Sequence, residues 1–328
     1  MIELVQNQLV FSFPEIHRDA RCTIDFQRTL RLPDDNKEYP LPPGLGLFPL
    51  MHVDDLGERL PAAWKTHGGI CFPMYQAEAM WINFNSNYPF AIKVATGKTN
   101  AITGDSWSNE LHADPQDYLI IPKQPWLDGF CISKGKIRQF VAMPLGDGYT
   151  TEEQLTGVPE HGGIQIIVYP MRIESYQQLN ASRSDKIMFS RRDTGKESQD
   201  NSMSMGLAPG GLMRQEIYED FHGIRAWDTS IFSRCYVHIA NSKIYHELTG
   251  NHPPTNTPTP GDYTKAGLPW FDYYDEQAAA LSGKSALANL DSVAGLGIKK
   301  NETPLPKNES CDPKTIKNLG IVREGKFW

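Results

Sequence analysis

The stretch Gln116–Met171 restricts the fold more than any other part of the chain. It reads QDYLIIPKQPWLDGFCISKGKIRQFVAMPLGDGYTTEEQLTGVPEHGGIQIIVYPM. Short apolar runs are cut every few residues by Pro or Gly, with room for one small helix. That punctuation suits closely spaced strands joined by tight turns and excludes long helices. The expected class is α+β and β-dominated, with many short strands in a sandwich-like or barrel-like arrangement and a few short helices. The stretch holds no phosphate loop, nucleophile elbow, dinucleotide fingerprint or Cys-x-x-Cys pair.

The flanking sequence extends this pattern. Residues 1–32 alternate like strands, at Leu9–Phe11 and Cys22–Phe26. Tyr39–Pro49 carries four prolines (Pro40, Pro42, Pro43, Pro49) and must run extended. Asp54–Trp64 reads as a helical turn or two, with an acidic start that suits the helix dipole, interrupted at Pro61. Met74–Phe84 places Tyr75, Ala79 and Ile82 on one stripe and reads as a helix. Pro89–Gly104 and Cys131–Phe140 read as hairpins turning at Gly97 and Gly135. The polar run 182–204 is expected to be a mobile loop, and 295–328 a loosely structured tail with Phe327–Trp328 as a terminal anchor. The predicted organisation is one unit over 1–294.

A faint echo joins two segments. Arg138-Gln-Phe-Val141 precedes Tyr149 and Leu155-Thr-Gly157, and Arg234-Cys-Tyr-Val237 precedes Tyr245 and Leu248-Thr-Gly250. Each reads as strand, short helix and glycine C-cap, so two similar halves (90–170 and 203–275) are an open expectation.

Composition narrows the partners. The 328 residues hold 32 basic and 39 acidic side chains, a net charge of −7. The short basic groups Lys134–Lys136–Arg138 and Arg191–Arg192 build no field of the size that phosphate backbones require, so no nucleic-acid partner is expected. No window approaches the ~18 apolar residues of a membrane helix, and the first residues lack the pattern of a secretory leader. Five scattered cysteines, an odd number, read as reduced thiols of a cytoplasmic protein.

The blocks QDYLIIPKQPWLDGF, RQFVAMPLGDGYTTEEQLTG and MGLAPGGLMRQEIY resemble those of an uncharacterised family of bacterial proteins, over about Leu41 to Asp275. The resemblance implies one coherent globular unit and brings no activity, ligand or catalytic residue.

Several constellations are candidates for chemistry. His112-Ala113-Asp114 with the distant His161 has the order of a facial triad for Fe(II), and Arg172 beyond it could clamp a carboxylate. This order resembles that of the 2-oxoglutarate-dependent oxygenases; His238, in an apolar strand, is an alternative third ligand. Solvated loop histidines are the simpler reading. Met205–Met213 (MGLAPGGLM) reads as a flexible glycine loop making a hairpin or strap connection, since no Lys-Ser/Thr follows to make a phosphate cradle. Cys71, Tyr75 and Glu78 near His67 read as a buried thiol and a solvated acid, although a Cys–His pair is conceivable. Asp54, Asp55 and Glu58 with Asp114, Asp117 and Asp128 could supply paired carboxylates. Trp126 and Trp270, beside prolines and acids, could line a groove for a sugar or peptide, or lie buried under loops.

The reading that follows is a soluble binding or assembly protein of unassigned ligand. Its partner would be a small molecule or a protein, with homo-oligomer formation open. The alternative is a mononuclear non-haem Fe(II) oxygenase using His112, Asp114 and His161.

Overall fold

The computed structural model describes residues 1–181, 204–254, 257–273, 278–303 and 305–319. The expected loop at 182–204 lies outside them except for Ser204, as does Phe327–Trp328.

The chain opens with strands β1 (Ile2–Val5), β2 (Gln8–Ser12), β3 (Arg21–Thr29), β4 (Glu38–Tyr39), β5 (Gly44–Leu47) and β6 (Met51–His52). A 3-10 segment (Val53–Arg59) and helix α1 (Ala62–His67) lead into β7 (Ile70–Met74), β8 (Ala79–Ser86), β9 (Phe90–Thr96) and β10 (Thr99–Asn100). Then come β11 (Leu119–Ile121), β12 (Trp126–Leu127), β13 (Gly129–Ser133), β14 (Lys136–Pro144), α2 (Thr151–Thr156), β15 (Ile164–Pro170) and α3 (Ile173–Ala181). The second half holds β16 (Ser204–Arg214), β17 (Ser233–Asn241), α4 (Ser242–Thr249), α5 (Pro260–Lys265), β18 (Trp270–Asp272), α6 (Ser285–Ala288), α7 (Val293–Lys299) and β19 (Ile316–Asn318).

Pairing builds one large, mainly antiparallel sheet with two arms. In the first, β1, β2, β3, β8, β14 and β16 follow one another, with β5 beside β3, β12 beside β8 and β13 beside β14. In the second, β9 pairs with β10, β11 and β15, then β15 with β17, and β17 runs parallel to β7. The arms join where Ser204 and Met205 of β16 pair with Ala240 and Ile239 of β17. One core takes Phe11, Ile24, Ile82 and Phe84 from the first arm and Phe90, Ile92, Ile166 and Val237 from the second. The sheet is therefore folded over on itself, because each arm has one apolar face that only the other can cover. Burying each such side chain contributes about 1.5–3 kcal/mol before entropy is counted.

The β-dominated class and both hairpins match the sequence reading. Gly97 and Gly135 turn them at φ 57° and 71°. The two echo segments end alike, with α2 and α4 closed by Gly157 and Gly250 in the left-handed conformation.

Two expectations are overturned. Met74–Phe84 is not a helix: β7 ends at Met74, Ala77 takes φ 61°, and β8 begins at Ala79. The true period there is two: Met80, Ile82 and Phe84 enter the core while Trp81, Asn83 and Asn85 take the other face. Met205–Met213 is no hairpin or strap loop either, but most of the eleven-residue strand β16. Its glycines are needed for clearance, since a Cβ on Gly210 would lie 2.4 Å from Val141 Cγ2 and one on Gly211 2.7 Å from the Pro33 carbonyl oxygen.

In the segment expected as a loose tail, Asn308 Oδ1 accepts from Asp34 N–H (2.9 Å), and the exposed β19 runs parallel to β18.

Candidate aromatic and amide binding face

Opposite its core side, the β3–β8–β12 sheet carries polar and aromatic residues in cross-strand register. Asp25 lies opposite Asn83, Asn83 opposite Trp126, and Gln27 opposite Trp81. Directly paired residues of antiparallel strands project to the same side, so these five share one face. Asp25 is fully buried at its centre. Its carboxylate accepts from Gln8 Nε2 (2.9 Å), Gln27 Nε2 (2.8 Å) and Asn83 Nδ2 (3.1 Å). A carboxylate oxygen can only accept, so each amide turns its NH2 inward and its oxygen away. Among the described residues those three amide oxygens have no hydrogen-bond partner, and none is sealed from solvent.

Beside this row stand three half-buried rings. Trp81 meets Trp126 edge-on at 6.2 Å between centroids, and Trp126 meets Tyr273 at 5.0 Å. Gly44 forms the rim: a Cβ there would touch Trp81 Cζ2 at 3.4 Å and Gln27 Oε1 at 3.6 Å. Under the rings, Asp128 accepts from Gln215 Nε2 (2.7 Å), and its backbone N–H donates back to Gln215 Oε1 (3.0 Å). Burial pushes its carboxyl up to about 7, against the lowering pull of the Trp126 and Gln215 side chains. Trp126, one of the two expected groove tryptophans, belongs to this face. Trp270 does not. It is wholly buried in a second core with Tyr39 and Tyr263, its indole N–H on Thr264 Oγ1 (3.1 Å).

The structure does not assemble the expected metal triad. Ala113 bridges Gln116 across the Asp114–Pro115 turn, which returns Asp117 to His112. His112 Nδ1 therefore lies 2.8 Å from Asp117 Oδ2, while Asp114 stays exposed. Asp117 also receives the buried Lys93 ammonium (2.7 Å), which additionally donates to Ser108 Oγ and to the Glu110 carbonyl. With three acceptors for its three N–H groups, Lys93 anchors the 105–117 loop.

His161 lies elsewhere, edge-on to His67 at 6.0 Å between centroids, in a cluster with Tyr236, His238 and Trp64. Its Nε2 is buried without a hydrogen-bond partner among the described residues, 3.3 Å from Glu160 Oε2. His238 Nε2 donates to the Gly68 carbonyl (3.0 Å), and burial lowers its pKa to about 4. His67 is lowered too, by burial and then by His161 and Lys98. Among the described residues no group of three His, Cys, Asp or Glu side chains is placed to hold a metal ion. Arg172 is exposed at the entry to α3, its backbone N–H on the Ala226 carbonyl (2.8 Å).

The remaining candidates resolve into structural roles. Glu78, expected to be solvated, is buried. Its Oε1 accepts from Arg28 Nε (2.9 Å) and Nη2 (2.7 Å), and its Oε2 accepts from Tyr75 N–H. Cys71 packs against Val53, Trp64 and Ile244, and burial pushes its thiol up to about 12, so it is no thiolate. Asp54 and Asp55 sit exposed in the first turn of the 3-10 segment.

Sequence reading missed Gln8, Asp25, Gln27, Trp81 and Asn83. The signal for the last two was the alternation Met80–Phe84, hidden by a chance helical stripe. No signal in sequence joins Gln8 to Asn83, which are 75 positions apart and meet only through Asp25. Compared with protein-family models, curated proteins and solved structures, the chain matches none.

Proposed function

We propose that this is a small-molecule-binding protein that seats its ligand against Trp81, Trp126 and Tyr273, over the amides of Gln8, Gln27 and Asn83. The observation that carries this reading is the juxtaposition of half-buried rings with three amide oxygens that no group among the described residues satisfies. Because these oxygens stay open to solvent beside apolar rings, a ligand that donates to them can take the place of water without leaving a buried polar group unpaired. Ligand sites combine those same ingredients, an apolar wall and a few converging polar atoms. No covalent step is assigned to the face. A cytoplasmic location goes with this reading, supported by five cysteines that form no disulfide.

Gly44→Phe tests the proposal without removing any part of the network. Gly44 has no positive φ, so the backbone accepts the change and the ring fills the space over Trp81 and Gln27. Native mass spectrometry after dialysis against a metabolite extract should show a bound species on the parent protein and its loss from Gly44→Phe. An identical bound set on the two proteins, both folded, would remove the reading.

A further inference from the structure

We infer that the ligand of this face is a neutral, hydroxyl-rich molecule of the pyranose or cyclitol class, an inference that rests on the binding face proposed above. The ligand class is set by what each amide has left to offer. One N–H of each NH2 is committed to Asp25, at 2.9 Å for Gln8, 2.8 Å for Gln27 and 3.1 Å for Asn83. Each amide therefore presents an accepting oxygen and one remaining N–H donor side by side. Asp25 fixes the orientation of all three, so the array is set before any ligand arrives and little ordering entropy is spent on binding.

Three ligand classes can be weighed against this array. An anion would meet acceptor oxygens above a carboxylate and be repelled. A cation would find acceptors and ring faces but could not accept from the amide N–H groups, leaving those donors stranded. A hydroxyl both donates and accepts, so a pair of neighbouring hydroxyls can engage the oxygen and the N–H of one amide together. The C–H face of a saturated ring would then lie against the half-buried indole of Trp81 or Trp126, the apolar contact that aromatic side chains supply. Only the hydroxylated class uses every group on the face.

The test is a titration of the full chain followed by the indole N–H resonances of Trp81 and Trp126, assigned with Trp81→Phe and Trp126→Phe. The probes are D-glucose, D-galactose, D-mannose and myo-inositol, with choline and lactate as charged comparators and permethylated glucose as a sugar without donors. At least one neutral polyol should shift both resonances. Asn83→Leu and Gln27→Leu should each weaken that binding by about tenfold or more, and Gly44→Phe should abolish it. Permethylated glucose should leave both signals in place. If choline or lactate moves the two indoles and no polyol does, the ligand class is overturned while the binding face stands. If no probe moves them and Gly44→Phe changes no bound species in the dialysis experiment, the face falls and the ligand class with it.

Discussion

Asp128 and His238 are both buried and titratable, and they tilt stability with pH in opposite senses. The folded-state pKa of Asp128 is raised to about 7 from an ordinary 3.8. The folded protein then holds a proton that the unfolded chain has released, so this stability is present at low pH and is lost as pH climbs from about 4 to 7. Asp128→Asn keeps the shape without the ionisable proton. It should match the parent near pH 4 and exceed it at pH 8 by on the order of 2–4 kcal/mol in urea unfolding. Equal midpoints at both pH values would count against a protonated Asp128. His238 acts the other way: its pKa falls to about 4 from 6.5, so the unfolded chain gains the proton first, and stability present above pH 6.5 is lost as pH falls towards 4. His238→Gln, which can still donate to the Gly68 carbonyl, should flatten that acid limb by up to ~3 kcal/mol, as read from melts at pH 7 and pH 4.5. Gln116, Gln124, Gln139 and Gln215 show a related economy, each using its amide oxygen and NH2 to brace backbone groups distant in sequence.

At the scale of elements, helix α2 holds three loops through two adjacent carboxylates. Glu153 completes a capping box with Thr150 and accepts from Gly146 N–H (2.9 Å) and Gly148 N–H (2.8 Å). Glu152, 2 % exposed, accepts from the backbone N–H groups of Lys98, His161 and Gly162. Glu152→Ala would strand those donors and should cost about 3 kcal/mol or more, with hydrogen exchange at Gly162 accelerating ahead of the core. Unchanged exchange there would mean the carboxylate does not hold the loop. The β13–β14 hairpin has a stricter requirement. A Cβ on Gly129 would sit 1.9 Å from the Arg138 carbonyl oxygen and 2.9 Å from Gln139 Cα, both backbone, so relief needs the strands to part. Gly129→Ala should lose more than about 3 kcal/mol and express mainly as insoluble protein; a soluble variant with the parent's melting midpoint would refute this. The hairpins were legible because a positive-φ glycine between two apolar runs admits few other solutions. The stripe Tyr75–Ala79–Ile82 misled because over so short a run helical and strand periodicities share positions, and the fold chose the one that buries Met80, Ile82 and Phe84.

For the whole molecule, the C-terminal segment closes over the start of the chain. Arg31 donates to the Ala77 and Pro306 carbonyls, Asn308 brackets the backbone of Asp34, and Val293 and Leu296 pack against Tyr149 and Ala208. Ending the chain after Asn289 exposes those apolar groups and removes the Ala294 donor from the Asp34 carboxylate, leaving it Arg138 at 3.6 Å. The truncated protein should lose at least about 3 kcal/mol in denaturant unfolding. Retention of full stability would show that the segment merely lies on the surface.

The amino-acid sequence alone determined the β-dominated class, the two hairpin turns and the glycine ends of α2 and α4. These follow from backbone conformations that Pro, Gly and alternating apolar residues permit locally, whatever lies nearby in space. Which polar residues meet was decided only by the tertiary structure. His112 finds Asp117 and not Asp114 because of a turn, and Asp25 gathers Gln8, Gln27 and Asn83 because three strands come into register. A side chain's partners depend on strand pairing between distant segments, and pairing is settled by how two apolar faces bury one another.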